Sequence, residues 1–262
     1  MRPNRNVVDN PLRKPLKQLC LFLFVLTYIP FGLLVYLYKD LNFDAVTSSP
    51  LGIALLLLGG IAPTVAAVLV FLVNKDMGGL AGLKQAVLAP GKMSAWFLGI
   101  YFFIIHFGFA FLLGRVPEMG SVVDFLAFFP LMFVIFGLQE ICWRLIMHDE
   151  FLHSRGFWKT TIATGMIASL WFMPLTLIPG GPIPANAYLP VAIYLVGMAV
   201  LLSSLRTQGA SMIACMVFGA LFYSLHFLLP LTLETNLMFM TIVDLVLAFT
   251  FKSKIFKENR KE

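Results

Sequence analysis

Eight stretches of the chain are apolar over enough residues to cross the roughly 30 Å hydrocarbon core of a bilayer as α-helices. Polar, charged and Gly- or Pro-containing segments separate them, as expected for loops between membrane spans. The stretches lie at about 17–37, 50–73, 95–113, 122–143, 160–178, 187–204, 210–230 and 236–251. This pattern predicts an all-α integral membrane protein with about eight transmembrane helices. The simplest division of residues 1–262 is a single polytopic membrane domain.

The composition agrees with this prediction and argues against a soluble protein. Of the 262 residues, 60% are hydrophobic and 12% are charged, whereas an average soluble domain has roughly 25% charged residues. The formal net charge is +6, but the basic residues are scattered over short loops and tails, so we expect membrane lipid and no nucleic acid as a partner. The three cysteines show no metal-binding or disulfide spacing, and we expect neither a metal nor a cofactor.

Lysine and arginine are distributed unevenly over the two sides of an eight-helix arrangement. All but two of the 19 basic residues fall on the side that holds both termini, and Lys39 and Arg115 fall opposite. Because short cytoplasmic loops carry an excess of basic residues, we expect both termini in the cytoplasm. The compact length and the lack of targeting tails favour a multi-pass protein of a bacterial plasma membrane.

Six ionisable side chains lie within or beside the apolar stretches, where a charge is costly and marks a candidate functional site. They are His106, Asp124, Glu140, Arg144, His226 and Asp244. For the two histidines we expect a neutral imidazole bonded to a neighbouring helix. For the two aspartates we expect a place near the interface or a hydrogen bond between helices. The segment HDEFLH at 148–153 has histidines five apart, unlike a zinc-binding pair, and is predicted to be a solvated cytoplasmic loop.

Glu140 and Arg144 are four residues apart with the acid first, which places opposite charges together on one face of a helix. One interpretation is a salt bridge that neutralises two costly charges near the cytoplasmic end of the helix. The other is a carboxylate held ionised by the guanidinium beside a reaction centre. The spacing is compatible with both interpretations.

Three segments resemble the motifs of one membrane-protein family. They are QEICWR at 139–144, IASLWFMPL at 167–175 and YLVGMAVLLSSLRTQGASMIACMVFGALF at 194–222. Their order is similar to that in the CPBP family, which includes CAAX-type prenyl-protein endopeptidases and bacteriocin-processing or immunity proteins, and the similarity covers about residues 125–230. It implies peptide hydrolysis within the membrane. In that chemistry a Glu and a His activate water, while a second His and an Asn stabilise the oxyanion.

The first two motifs of the family are substituted at catalytic positions in this chain. Against the family's EExxxR, Gln139 takes the place of the first Glu, Glu140 that of the second and Arg144 that of the Arg. Against its FxxxH, Phe172 takes the place of the His and Ala168 that of the Phe. A glutamine amide has negligible basicity and a phenyl ring has no nitrogen, so neither can carry the proton that this chemistry requires.

The third motif, a His followed four residues later by Asn or Asp, fits the chain in two registers. One puts Phe218 at the His position and Phe222 at the Asn position, and a shift by one residue puts Gly219 and Tyr223 there. His226 lies about two helical turns beyond Phe218, too far to replace a catalytic group. We interpret His226 as structural.

The resemblance implies a relative that keeps Glu140 and Arg144 but has lost catalytic side chains. The substituted positions are Gln139, Phe172, Phe218 and Phe222. We expect such a protein to bind or regulate a membrane protein, a prenylated or hydrophobic peptide, or a toxin peptide. The alternative is an active intramembrane endopeptidase that uses Glu140 as its base. A transporter or channel is disfavoured because polar helix faces are sparse.

Overall fold

The computed structural model describes residues 14–41, 43–112, 122–178, 181, 185–228 and 241–249. In these ranges the chain forms helices joined by short turns, with no strand. The α-helices are α1 (Lys14–Tyr38), α2 (Phe43–Ser48), α3 (Pro50–Val73), α4 (Gly79–Leu88), α5 (Met93–Leu112), α6 (Val122–Met132), α7 (Asp149–Phe172), α8 (Tyr188–Thr207), α9 (Met212–Leu228) and α10 (241–249). Two π-helical segments, Phe133–Gly137 and Ile141–His148, lie between α6 and α7, and 3-10 turns cover Lys75–Met77, Met173–Leu177 and Ala185–Ala187.

Five helical segments in the described part of the chain are long and apolar enough to cross a membrane. They are Lys14–Tyr38, Pro50–Val73, Ala127–Leu152, Gly156–Leu177 and Ala185–Thr207. A sixth crossing results if α4 and α5, which bend by 71° where they join, are counted as one span. The prediction of an all-α membrane protein is therefore confirmed.

Four of the predicted stretches, 17–37, 50–73, 160–178 and 187–204, each coincide with one of these spans. The stretch 122–143 is extended, because its helix continues through charged residues to Leu152. The last two stretches fall on α9, which is apolar but only 17 residues long, and on α10. The remainder of the stretch 236–251 lies outside the described residues.

Helices α1 and α3 form a close antiparallel pair. At one end the Tyr38 hydroxyl donates to Ser49 Oγ at 2.6 Å, and Ser49 caps α3 by accepting from Gly52 N at 3.4 Å. In the middle, Phe31 lies against Gly59, where any larger side chain would clash with the ring. Small residues allow such close approach in a membrane, where apolar area alone does not drive helices together.

The buried core and the outer surface are both apolar, as a membrane-embedded chain requires. The core lies where α3, the π-helical segments, α7, α8 and α9 meet, and it contains Trp143, Phe172, Met198 and Phe222. Large apolar side chains are also exposed on the outer helices, among them Leu21, Leu57, Phe97, Ile104 and Phe249. The candidate site therefore lies inside a protein core that is itself surrounded by lipid-facing side chains.

Candidate functional site

The helix that carries the first motif departs from α-helical geometry just before the motif and again within it, from Ile141 onward. In its two π-helical segments, backbone N–H groups bond to carbonyls five residues earlier, as Leu138 N does to Phe133 O at 2.9 Å. Gly137 packs so close to α9 that a methyl group on it would lie 2.9 Å from Met216 O. Because π-helical turns are rare and recur at functional sites, this wide helix is a candidate location for one.

Glu140 and Arg144 form a buried ion pair. Arg144 Nε donates to Glu140 Oε2 at 2.8 Å, and the residues are 2% and 0% exposed respectively. The guanidinium also reaches α8, because its Nη1 donates to Ser203 Oγ at 2.8 Å and to Ala199 O at 3.2 Å. The salt bridge predicted from the i, i+4 spacing is confirmed, and the further hydrogen bonds of Arg144 join its helix to α8.

The second carboxylate oxygen of Glu140 is sealed against α9. Glu140 Oε1 is buried and has no hydrogen-bond partner among the described residues. It faces Gly219, where an added methyl group would lie 3.1 Å from Oε1 and 2.9 Å from Cγ. Glu140 is 0% exposed, so bulk solvent does not reach the side chain. A base that activates water must lie within hydrogen-bond distance of it, so this conformation is unsuited to hydrolysis.

Gln139 is 2% exposed and its amide is fully engaged in structural hydrogen bonds. Its Nε2 donates to Ile135 O at 2.6 Å and to Gly60 O at 3.4 Å, while Oε1 accepts from the Trp143 indole at 3.1 Å. The side chain therefore ties its own helix to α3. An amide suits this role because it both donates and accepts, as a carboxylate could not.

A proline in α3 explains a second hydrogen bond beside Gln139. Pro63 has no N–H, so the carbonyl of Gly59, four residues earlier, lacks its normal partner within the helix. The indole of Trp171, on α7, donates to this carbonyl at 3.2 Å. Membrane helices tolerate proline where a neighbouring helix satisfies the freed carbonyl in this way. The Trp143 and Trp171 rings lie 6.1 Å apart, so the two bonds belong to one cluster.

Phe172 lies in a stack of rings that joins three elements. It packs parallel to Phe136, with centroids 6.5 Å apart and an interplanar angle of 4°, and Phe136 stacks on Tyr223 of α9 at 4.9 Å. Phe172 is 8% exposed. The position that the resemblance gives to a catalytic His is thus occupied by a ring packed in the core.

The two faces of α9 separate the alternatives for the third motif. Phe218 and Phe222 face α5: Phe218 lies against Gly99 and 5.6 Å from the Trp96 ring, and Phe222 lies 5.1 Å from the His106 ring.

Gly219 and Tyr223 lie on the other face of α9, toward Glu140 and Phe136. Of the two registers, the one that begins at Gly219 is the one next to the acid. Gln139, Glu140, Arg144 and Gly219 are therefore brought together, whereas Phe218 and Phe222 are directed toward α5.

A second buried polar pair lies on the Phe222 side of α9. His106 Nδ1 and Asp244 Oδ1 are 2.7 Å apart, and both residues are 0% exposed. They join α5 to α10 across 138 residues of sequence. The expectation of hydrogen bonds between helices is confirmed for these two. Asp124 and His226 fall in α6 and α9, but their side chains lie outside the described residues.

The prediction of a solvated loop at HDEFLH is wrong. His148 ends the second π-helical segment and is fully buried, and Asp149 begins α7. Asp149 Oδ1 lies 3.1 Å from His148 Nδ1, and Asp149 Oδ2 accepts from Arg206 Nη2 at 2.9 Å. The cation on α8, 57 residues away, therefore neutralises the acid. The side chain of His153 lies outside the described residues.

Within the described ranges, no group of three or more His, Cys, Asp or Glu side chains is arranged to hold a metal ion. No protein-family model matches the chain, and no curated protein matches it either. The similarity to the CPBP motifs therefore stays a prediction drawn from the residues themselves.

Proposed function

We propose that this protein is a degenerate relative of the CPBP family that has lost peptidase activity and acts by binding. The observation that carries the proposal is the closure around Glu140, whose Oε2 accepts a hydrogen bond from Arg144 and whose Oε1 is buried against Gly219. Gln139 and Phe172, at the two positions to which the resemblance gives proton transfer, are engaged in a hydrogen bond to α3 and in a ring stack. A hydrolase would need water and a second proton carrier at this place.

The proposal includes eight transmembrane helices with both termini in the cytoplasm of a bacterium. It is supported by the five or six spans already described, by the apolar α9 and α10, and by the excess of basic residues on one side of the arrangement. Its partner would be a membrane protein, a prenylated or hydrophobic peptide, or a toxin peptide, approached within the bilayer.

The test is a peptide assay with the full chain in membranes. Farnesylated CAAX peptides and unmodified hydrophobic peptides are incubated with wild-type protein, and we expect no cleavage above membranes that lack it. A photoreactive farnesylated peptide should nevertheless crosslink saturably, and unlabelled peptide should compete.

Two results would contradict the proposal. One is cleavage by the wild type that disappears in the double variant Glu140→Gln/Arg144→Met at equal amounts of folded protein. This double variant removes both charges together, so that neither remains buried alone. The other is a pair of negative results together. None of the prenylated, hydrophobic or toxin-like peptides crosslinks saturably, and no specific membrane-protein partner is found.

An active endopeptidase that uses Glu140 as its base is the second candidate. The observation in its favour is the unpartnered Oε1 atom, since a buried carboxylate oxygen without a donor is costly and is often retained for function. For this oxygen to meet water and a peptide bond, α9 would have to move away at Gly219. The same peptide assay separates the two candidates.

A further inference from the structure

Helix α4 differs from its neighbours in length and direction. It has 10 residues and is about 15 Å long, half of the roughly 30 Å that a membrane span needs. α5 has 20 residues and is long enough, at about 30 Å, to cross a bilayer alone. The two helices are bent by 71° relative to each other. With α5 along the membrane normal, α4 is therefore directed along the membrane surface.

The connection between α4 and α5 holds this bend in place. Ala89 is extended, as expected for a residue before proline, and it ends α4. The Lys92 N–H donates to Gly209 O, in the turn between α8 and α9, at 2.8 Å. Gly91 lies so close to the backbone nitrogen of Ser211 that any side chain there would clash. The direction of α4 is thus set by contacts with a second pair of helices.

The two faces of α4 have different surroundings. Leu83 and Val87 pack against the hydrophobic core. On the outer face Leu80 and Leu88 are 57% and 56% exposed, and Lys84 lies between them, one helical turn from each. A helix at a lipid interface has this pattern, because its leucines enter the acyl boundary while the apolar stem of a lysine extends its ammonium to the headgroups.

The exposed apolar surface of α4 continues into the spans on both sides of it. Leu72 and Val73, at the end of α3, are 48% and 47% exposed. Met93 and Phe97, at the start of α5, are 68% and 67% exposed. Because the outer surfaces of membrane spans contact lipid, the apolar surface that α4 shares with them is continuous with the lipid-facing surface of the protein.

The charges of this segment are complementary to lipid phosphates. Residues 74–92 contain three lysines, Lys75, Lys84 and Lys92, and one acid, Asp76. All four are exposed. A basic residue near a membrane surface contributes about 1 kcal/mol of attraction to anionic headgroups. The excess of lysines therefore favours the same location for α4 as its exposed leucines do.

We propose that α4 is bound in the plane of the lipid interface, with Leu80 and Leu88 among the outermost acyl carbons and Lys84 extended to the phosphates. α5 then makes its crossing alone, and α4 attaches the turn between α8 and α9 to the membrane surface through the Lys92 hydrogen bond. This placement of α4 is independent of the proposed function of the Glu140 region.

Spin labels on introduced cysteines test the depth of α4 in phospholipid vesicles. Leu80→Cys and Leu88→Cys are made separately in the full chain with Cys20→Ala, since Cys142 and Cys215 are buried. Collision with oxygen, which concentrates in lipid, is compared with collision with a water-soluble nickel chelate. We expect both labels at the boundary of headgroups and acyl chains. Their depths should differ by about 4 Å or less, although eight residues of helix measure about 12 Å.

Labels on α5 are the matched control for depth. Phe97→Cys and Ile104→Cys replace exposed residues seven apart on this helix, and their depths should differ by about 10 Å. Lys84→Glu should raise the collision of the label at position 88 with the nickel chelate by about fivefold, which corresponds to about 1 kcal/mol at a membrane surface. Lys39→Glu changes an exposed lysine just after α1 and should leave that label unaffected.

Three outcomes would overturn the proposal. A depth difference of about 12 Å between the labels on α4 would mean that the helix continues the span of α5. Free collision of both labels with the nickel chelate, without the oxygen signal of lipid, would show that the outer face meets water or a soluble protein. Equal effects of Lys84→Glu and Lys39→Glu would exclude a local contact with phosphate. Unchanged depths of the labels on α5 show that each variant is folded and inserted.

Discussion

Two buried acid–base pairs lie in the membrane part of this protein, and they are built differently. Glu140 and Arg144 belong to one helix, and Ser203 and Ala199 of α8 complete the hydrogen bonds of the guanidinium. His106 and Asp244 belong to helices that are distant in sequence, and His106 Nδ1 and Asp244 Oδ1 lie 2.7 Å apart. The first pair contains a base that stays charged, whereas an imidazole can exist neutral. The two pairs should therefore respond very differently to loss of the acid's charge.

The largest effect is expected from Glu140→Gln. The substitution keeps the shape of the side chain but leaves the Arg144 guanidinium buried without a counter-charge, which costs about 3–5 kcal/mol in free energy of unfolding. Equilibrium unfolding in mixed detergent micelles measures it. Glu140→Gln/Arg144→Met should recover much of the loss because no charge then remains. A double variant as unstable as the single one would show that the ion pair is not the cause.

Removing the partner of Arg144 on α8 should have the next largest effect. Ser203→Ala deletes a 2.8 Å hydrogen bond to a charged donor, for which we expect a loss of about 1.5–3 kcal/mol. Ser204→Ala is the matched control, since its hydroxyl donates only to Val200 O in the same helix. The control should change the free energy of unfolding by about 0.5 kcal/mol or less. Equal losses in the two variants would mean that Ser203 does not stabilise the guanidinium.

Packing around the Glu140 carboxylate can be tested at Gly219. In Gly219→Ala the methyl group would lie 2.9 Å from Glu140 Cγ, and we expect overpacking to cost about 1–3 kcal/mol. Gly108→Ala in α5 is the control, because nothing lies within 4 Å of the position that its methyl group would take. The control should be neutral or slightly stabilising through better helix propensity. Tolerance of Gly219→Ala would show that the contact between α9 and Glu140 is loose.

The smallest effect is expected at the other pair, from Asp244→Asn. The amide can still bond a neutral imidazole at the same place, so the free energy of unfolding should fall by about 1 kcal/mol or less. Asp244→Leu, which leaves His106 without this partner, should cost more than Asp244→Asn. A loss in Asp244→Asn as large as that in Glu140→Gln would show that His106 is charged and would remove the distinction between the two pairs.

The same comparison shows which contacts the sequence could predict. The i, i+4 spacing of Glu140 and Arg144 predicted their contact because one helix fixes it. Nothing local in the sequence marks Ser203 as a partner of Arg144, or Asp244 as a partner of His106, because helix packing brings them together. The error at HDEFLH has the same origin, since a run of charges predicts a solvated loop unless the ion pair with Arg206 is known.

The apolar stretches predicted the spans well and the details of the backbone poorly. Hydropathy located Pro50–Val73 and Gly156–Leu177 closely, because the cost of burying polar groups in a bilayer dominates at that scale. It could not predict the π-helical turns around Gln139, because hydropathy does not distinguish a π-helix from an α-helix. It also missed α4 and its 71° bend from α5, because the Gly- and Lys-containing segment between the predicted stretches 50–73 and 95–113 was expected to be a loop.

Pro63 in α3 predicts how two positions should vary among sequences related to this protein. Pro63 has no N–H for the Gly59 carbonyl, which instead accepts from the indole of Trp171. The role of this indole therefore depends on the proline, although the two residues lie on different helices. A relative that replaces Pro63 with an ordinary residue regains the bond inside α3 and no longer needs an indole on α7. We expect substitutions at 63 and 171 to occur together among such relatives, which makes this pair a marker for recognising them.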